Sequence, residues 1–247
     1  MIKLQRAPKP AFLTDAKVSQ LVIEFKSTGQ SVWNIDHIKT PLLLSSHKKC
    51  AYCECPVATE SNYMEVEHFE DKGTNPDKVV EWENLLPSCK KCNVSKGTHN
   101  VLTNPMVNPF QEDPRLHLAW RHYRLRGKTS IGKTTIDVAK LNHVDRLVVK
   151  RFEIGQRIEE SIETAWERFN VYSANPNARS KNRVVNLVEG LLKECIPQAT
   201  YAASSATHLL TDKHFLQLVV EMKAKHIWEQ ELEDYFQAAS TIVLDVV

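Results

Sequence analysis

Apolar residues recur by threes and fours through the last hundred positions of the chain. After Leu141, the residues Val144, Leu147, Val148, Ile154, Ile158, Ile162, Trp166 and Phe169 mark one face of a long helix, with Asn142 as its N-cap and Gly155 weakening its middle. The breaker Asn175-Pro176-Asn177 precedes a second such face, Val184, Leu187, Val188, Leu191, Leu192 and Cys195, on which Cys195 reads as a small packed hydrophobe. Phe215, Leu218, Val219 and Met222 open a third, continuing towards Tyr235 and Phe236. Near the N-terminus a start punctuated by Pro8 and Pro10 gives way to the apolar run Leu21 to Phe25, then to a helix from Trp33 to Leu44. Between these helical stretches the period breaks down. Val66 and Phe69 flank an acid and an imidazole in Glu65-Val66-Glu67-His68-Phe69, the pattern of a short strand. Pro105, Pro109 and Pro114 make the stretch from Asn100 to Pro114 an extended connector. The expected fold is α+β and mostly helical, in three stretches: an N-terminal segment 1–49, a cysteine-framed core and connector 50–114, and a basic segment with a helical domain 115–247.

Composition narrows the class. The 247 residues are 42% hydrophobic, as in a soluble globular protein. No run is apolar enough for a membrane span, and Met1 to Pro10 mixes Lys, Arg and Pro where a secretory signal would be apolar, so a cytoplasmic address is expected. Six cysteines without an export signal point to metal binding or isolated thiols rather than to disulfides. The net charge is only +2, but from Arg115 to Arg151 ten Lys/Arg face two acids, a local excess of 10 − 2 = +8. Within it Arg121, Arg124 and Arg126 sit among aromatic residues, a combination suited to a nucleic-acid backbone; a solvated helical face is the plainer reading.

Cys50-Ala51-Tyr52-Cys53 and Cys89-Lys90-Lys91-Cys92 are two C-x-x-C knuckles. Each pair is spaced to reach one tetrahedral Zn²⁺ at about 2.3 Å, and two pairs make a closed structural site. Such a site clamps the ends of a loop too short and too polar to build its own core. Cys55, two residues past a knuckle and without a second partner nearby, reads as a free thiol.

Between and just after the knuckles stand Glu67-His68, then Asn84, then Asn93. This order resembles the HNH nuclease family. The resemblance implies a ββα-metal core with the acid-His pair on the first strand, Asn84 before the second, and Asn93 on the helix that starts at the second knuckle. Carried over by position, His68 is the general base, Glu67 and Asn93 hold a catalytic Mg²⁺ or Mn²⁺, Asn84 holds the loop that orients the base, and Lys96 contacts a phosphate. Glu67 stands where Asp or His is usual, and Asn93 where many members carry His; oxygen donors of this kind favour magnesium over zinc.

Further signposts narrow the resemblance. The Pro-containing start, the knuckle near residue 50, Glu67-His68-Phe69, Asn108-Pro109, Asp113-Pro114, Thr135-Ile136, Leu141-Asn142 and Arg151 are together similar to the HNH subunit of Septu-type anti-phage systems (the PtuB-like, retron-associated group) over roughly residues 1–170. That resemblance implies a defence effector gated by a separate ABC-like or SMC-like ATPase, cutting nucleic acid, with DNA expected ahead of RNA such as a tRNA. A non-catalytic, zinc-organised subunit that binds nucleic acid or a partner remains the alternative. Gly127 to Thr134 also satisfies G-x-x-x-x-G-K-[ST]. The basic, half-aromatic run before it and the lack of alternating strands and helices after it argue against an NTPase.

Overall fold

In the computed structural model, which describes residues 1–60 and 62–247, the chain divides into a first unit, Met1–Leu118 with Arg126–Asn142, and a second, Ala119–Leu125 with His143–Val247. Residues 1–49 and the cysteine region fall in the same unit. Helix α1 (Asp15–Thr28) begins where the Thr14 hydroxyl accepts from the Lys17 amide at 3.2 Å, and ends at Gly29, whose φ of 71° is the left-handed cap that glycine favours. Of the run Leu21 to Phe25 only Leu21 is buried. Helix α2 (Asp36–Ser45) buries Ile38 and Leu42 and begins after Trp33, which stays in the preceding loop.

The centre of the first unit is an antiparallel sheet in the order β1 (Ala58–Thr59), β2 (Asn62–His68), β3 (Leu85–Cys89). The register pairs Met64 with Cys89, Glu67 with Leu86 and His68 with Leu85. Cys89 is both the last residue of β3 and the N-cap of α3 (Lys90–Lys96), which packs on β2 and β3. Tyr52, Trp82, Leu85 and Leu86 fill the space beneath and are almost wholly excluded from solvent.

The helices of the second unit follow the amphipathic period with four departures. The chain enters α5 (Val149–Ala174) through a π-helical turn, Val144–Val148, whose cap is His143 rather than Asn142. The next helix, α6 (Ala178–Lys193), takes Asn177 as N-cap and stops before Cys195, which is fully buried beyond its end. Between α6 and α8 (Lys213–Ala224) lies α7 (Ala202–Thr211), unmarked by periodicity because it is buried nearly all round through Ala202, Ala203, Ser204, Ser205, Ala206, Thr207 and Leu209. Tyr235 and Phe236 belong to a separate α9 (Gln230–Ser240), divided from α8 by a turn at His226. The parallel pair β4 (Leu118–Arg121) and β6 (Asp245–Val246) matches Ala119 with Asp245 and Trp120 with Val246.

The strand β5 (Arg124–Gly127) pairs with β4 through a two-residue turn in which His122 and Tyr123 have φ of 46° and 63°. Such a turn matches the twist of a hairpin but is a left-handed conformation that non-glycine residues adopt at a cost. The cost is repaid by where Tyr123 lands. A Cβ on Gly155 would come within 2.6 Å of the Tyr123 ring, so the glycine that weakens the helical pattern is what lets Tyr123 lie against α5. Arg151 is 5% exposed and donates to the Tyr123 carbonyl at 3.4 Å, Arg115 pairs with Asp113 at 2.7 Å, and Lys150 with Glu153 at 3.1 Å. Three of the ten basic residues of 115–151 are therefore paired or buried. Gly155→Ala, although about 1 kcal/mol better by helix propensity, is expected to lower unfolding free energy by about 1–3 kcal/mol through overpacking; urea denaturation showing equal or greater stability would contradict this packing.

Candidate metal centre and active site

The sulfur atoms of Cys50, Cys53, Cys89 and Cys92 all lie within 4.8 Å of one another and all four residues are buried. A tetrahedron with metal–sulfur bonds of about 2.3 Å has edges of about 3.8 Å, and Cys53 Sγ stands 3.8 Å from Cys89 Sγ. The Cys92 amide points at Cys89 Sγ, 3.4 Å away, an N–H···S bond that favours a thiolate. The donor set and spacing fit one metal ion such as zinc. Cys55 lies beside this group, accepting from Asn62 Nδ2 at 3.7 Å, and is not one of the four.

On the inner side of the frame, Glu67 and Lys96 form a buried ion pair at 2.7 Å, with side chains 3% and 0% exposed. Burial pushes the Glu67 carboxyl up to about 7, with the Lys96 ammonium pulling the other way. Lys96 also donates to the His68 carbonyl at 2.8 Å. It is thus an internal tie between α3 and β2, and its place inside the fold leaves no ammonium at the surface for the phosphate contact expected of it. Oε1 of Glu67 lies close to Lys96 without a well-directed hydrogen bond, and the Tyr52 hydroxyl is likewise buried without a partner among the described residues.

His68 closes β2 with its imidazole fixed from two sides. Nε2 lies 2.9 Å from the Val79 carbonyl oxygen. A carbonyl can only accept, so Nε2 carries the proton and Nδ1 is the acceptor nitrogen. The Trp33 ring meets the imidazole edge to face at 4.6 Å, and the Lys72 ammonium stands 5.2 Å from the Trp33 ring centre. Burial lowers the imidazole to about 4, the Val79 hydrogen bond opposing. Asn84 ties the intervening loop together. Its Oδ1 accepts from the Glu70 amide at 2.7 Å, its Nδ2 donates to the carbonyls of Glu70 at 3.0 Å and Lys78 at 3.2 Å, and its own carbonyl accepts from Phe69 at 2.9 Å. Asn93 is half-buried on α3, one turn before Lys96 and so on the same helical face.

Lys96 thus joins Glu67 by an ion pair and the His68 carbonyl by a hydrogen bond, Asn84 holds the residues that follow His68, and Asn93 shares α3 with Lys96. Arg121, Arg124 and Arg126 lie on β4 and β5, with Arg121 and Arg126 exposed and Arg124 half-buried. Trp33 and the Val79 carbonyl escape motif analysis: neither residue type signals chemistry, and the loop that supplies Trp33 precedes the knuckles by many residues. The Gly127–Thr134 motif follows a strand, but α4 (Ser130–Val138) already begins at Ser130, with Gly132 inside it. The Gly132 amide is spent on the Thr129 hydroxyl at 3.1 Å, and a Cβ there would fall 2.0 Å from the His117 carbonyl. A Cβ on Gly127 would likewise fall 2.5 Å from the Lys133 amide nitrogen, so both glycines serve close packing.

The fold and site define an α+β protein whose hairpin and helix are framed by four clustered cysteines able to hold a metal ion. More particularly, the chain belongs to the Septu protein PtuB family. It is 41% identical to Septu protein PtuB of Bacillus thuringiensis over 246 residues, 99% of this chain and 95% of that protein. It is 26% identical to Septu protein PtuB of Bacillus mycoides (strain KBAB4) over 204 residues, 64% of this chain and 68% of that one. No protein-family model matches the chain, and no solved structure matches it. Among the described residues, no helix is long and apolar enough to cross a membrane.

The unfolded imidazole takes a proton near about 6.5 and buried His68 only near 4. Acidification through that window therefore favours the unfolded chain, by roughly 2 kcal/mol at about pH 5. Raised Glu67 acts in the opposite sense, since its folded form holds a proton that the unfolded form has released between about 4.5 and about 7. Because a His68→Asn variant keeps Glu67, comparing the two proteins by denaturant melts at about pH 7.5 and about pH 5 isolates the imidazole. The parent should lose more stability on acidification than the variant; equal losses would show that His68 is not buried neutral.

Proposed function

We propose that this chain is the HNH endonuclease subunit of a Septu-type anti-phage defence system, hydrolysing nucleic-acid phosphodiester bonds with a partner ATPase of the ABC or SMC kind gating it. Family membership supports the defence role. The observation that carries the catalytic reading is the fixed tautomer of His68: with Nε2 bound to the Val79 carbonyl, Nδ1 is left as the one nitrogen able to take a proton from water. The strand–strand–helix order, with Glu67-His68 at the end of β2, Asn84 ahead of β3 and Asn93 on α3, agrees with it.

Glu67 and Asn93 supply the hard oxygens that would hold Mg²⁺ or Mn²⁺, which when bound neutralises charge growing on the leaving oxygen. Lys96 already neutralises Glu67 from inside the fold, so it tunes the carboxylate and sets its rotamer. Asn84 keeps residues 69–70 and 78 in place behind the imidazole. His68 deprotonates the attacking water, leaving 5′-phosphate and 3′-hydroxyl ends. Arg121, Arg124 and Arg126 are the residues proposed to contact the backbone, and such contacts carry no base sequence. DNA is the expected substrate ahead of RNA.

One observation favours the alternative of a silent, zinc-organised binding subunit: Glu67 and His68 are 2% and 5% exposed. Cleavage assays separate the two. The purified complex with Mg²⁺ should cut nucleic acid, His68→Ala should slow cutting by about 10²–10⁴-fold, and Glu67→Gln should slow it too. A His68→Ala protein that cuts as fast as the parent, or a parent that binds without turnover under every divalent metal, would overturn the nuclease reading.

A further inference from the structure

The N-terminal segment carries no motif, yet one of its side chains reaches the loop that holds Asn84. Arg6 Nη1 donates to the carbonyls of Trp82 and Leu85, both at 2.7 Å, and Nη2 to that of Glu83 at 3.1 Å. These three carbonyls surround Asn84 in the sequence. The guanidinium carbon lies 4.0 Å from the centre of the Phe110 ring and 5.6 Å from that of Trp82. The segment bearing Arg6 is itself fastened. Trp82 Nε1 donates to the Ala7 carbonyl at 2.9 Å, the Ala7 amide to Ser45 Oγ at 2.9 Å, and the Leu4 amide to the Pro109 carbonyl at 2.8 Å. Burial lowers the guanidinium to about 10, the Glu83 charge opposing, so it stays protonated at neutral pH.

We infer that Arg6 is a positioning residue for the candidate active site: it clamps the single helical turn Trp82–Asn84 and thereby holds the Asn84 amide, and through it the His68 loop. This rests on the nuclease reading for its consequence, though not for its geometry. The path is continuous. Arg6 fixes the carbonyls of residues 82, 83 and 85, Asn84 then bonds Glu70 and Lys78, and Val79, next to Lys78, accepts the His68 Nε2 proton. Three convergent carbonyls between two rings suit a planar fork with several donors. A lysine ammonium keeps the charge but is a compact, strongly hydrated point that cannot engage all three.

The test uses the metal-loaded chain and its Arg6→Lys and Arg6→Ala variants, followed by the side-chain amide signals of Asn84 in NMR spectra and, in the purified complex with Mg²⁺, by cleavage kinetics. Arg6→Lys should speed exchange of the Asn84 amide protons and reduce kcat by about 10- to 100-fold, as expected of a small misplacement, with KM little changed. Guanidinium ion added to Arg6→Ala should restore both in part, a rescue that general destabilisation would not give. Unaltered Asn84 signals in both variants, or failure of guanidinium to restore them, would overturn the clamp whether or not the chain cuts. Failure of the parent to cut would overturn the nuclease reading alone, the clamp then being judged on the Asn84 signals.

Discussion

Four cysteine sulfurs from two knuckles, separated by 35 residues of sequence, converge within 4.8 Å, and the hairpin and helix of the first unit are arranged around them. A metal bound there would tie the loop that follows α2 to the corner where β3 becomes α3. Because Cys89 is both strand end and helix cap, such a metal would also fix the direction in which α3 leaves the sheet. Metal affinity is folding free energy when no preformed site exists in the unfolded chain. It can therefore stabilise a segment whose interior is unusually polar.

That polarity is expensive. Glu67, His68, Asn84 and Lys96 are all buried, and removing two charges from water costs several kcal/mol per ion before their attraction is counted. A hydrophobic pair of similar volume would be at least as stable. What the polar set provides is geometry: Lys96 joins helix to strand through a carboxylate and a carbonyl, Asn84 closes the loop with three side-chain hydrogen bonds, and the imidazole is left in a single tautomer. Arg6 extends the same logic outwards, using backbone carbonyls and two rings instead of an acid.

What the sequence made legible was whatever depends on local spacing. The knuckles were readable because two residues between cysteines match the reach of sulfur to a shared ion. The order Glu67-His68, Asn84, Asn93 was readable because it follows the elements in turn, and α5, α6 and α8 because large apolar residues recur with the helical period. Where packing is set by small residues the signal vanished: α7 is a helix of Ala, Ser and Thr buried on nearly every side, and Gly155, a helix breaker by propensity, is the seat of the Tyr123 ring. Lys96 was misplaced because a lysine one turn past a presumed ligand looks like a surface cation, and nothing local announces that it turns inward. Trp33 and Arg6 act over 35 and some 76 to 79 positions of sequence, distances at which no periodicity argument operates.

X-ray absorption at the zinc edge, with metal analysis of the purified chain, tests the organising claim most directly. One zinc per chain surrounded by four sulfur atoms at about 2.3 Å is the result the account requires. Metal well below one equivalent, or a coordination shell in which oxygen or nitrogen replaces sulfur, would contradict it.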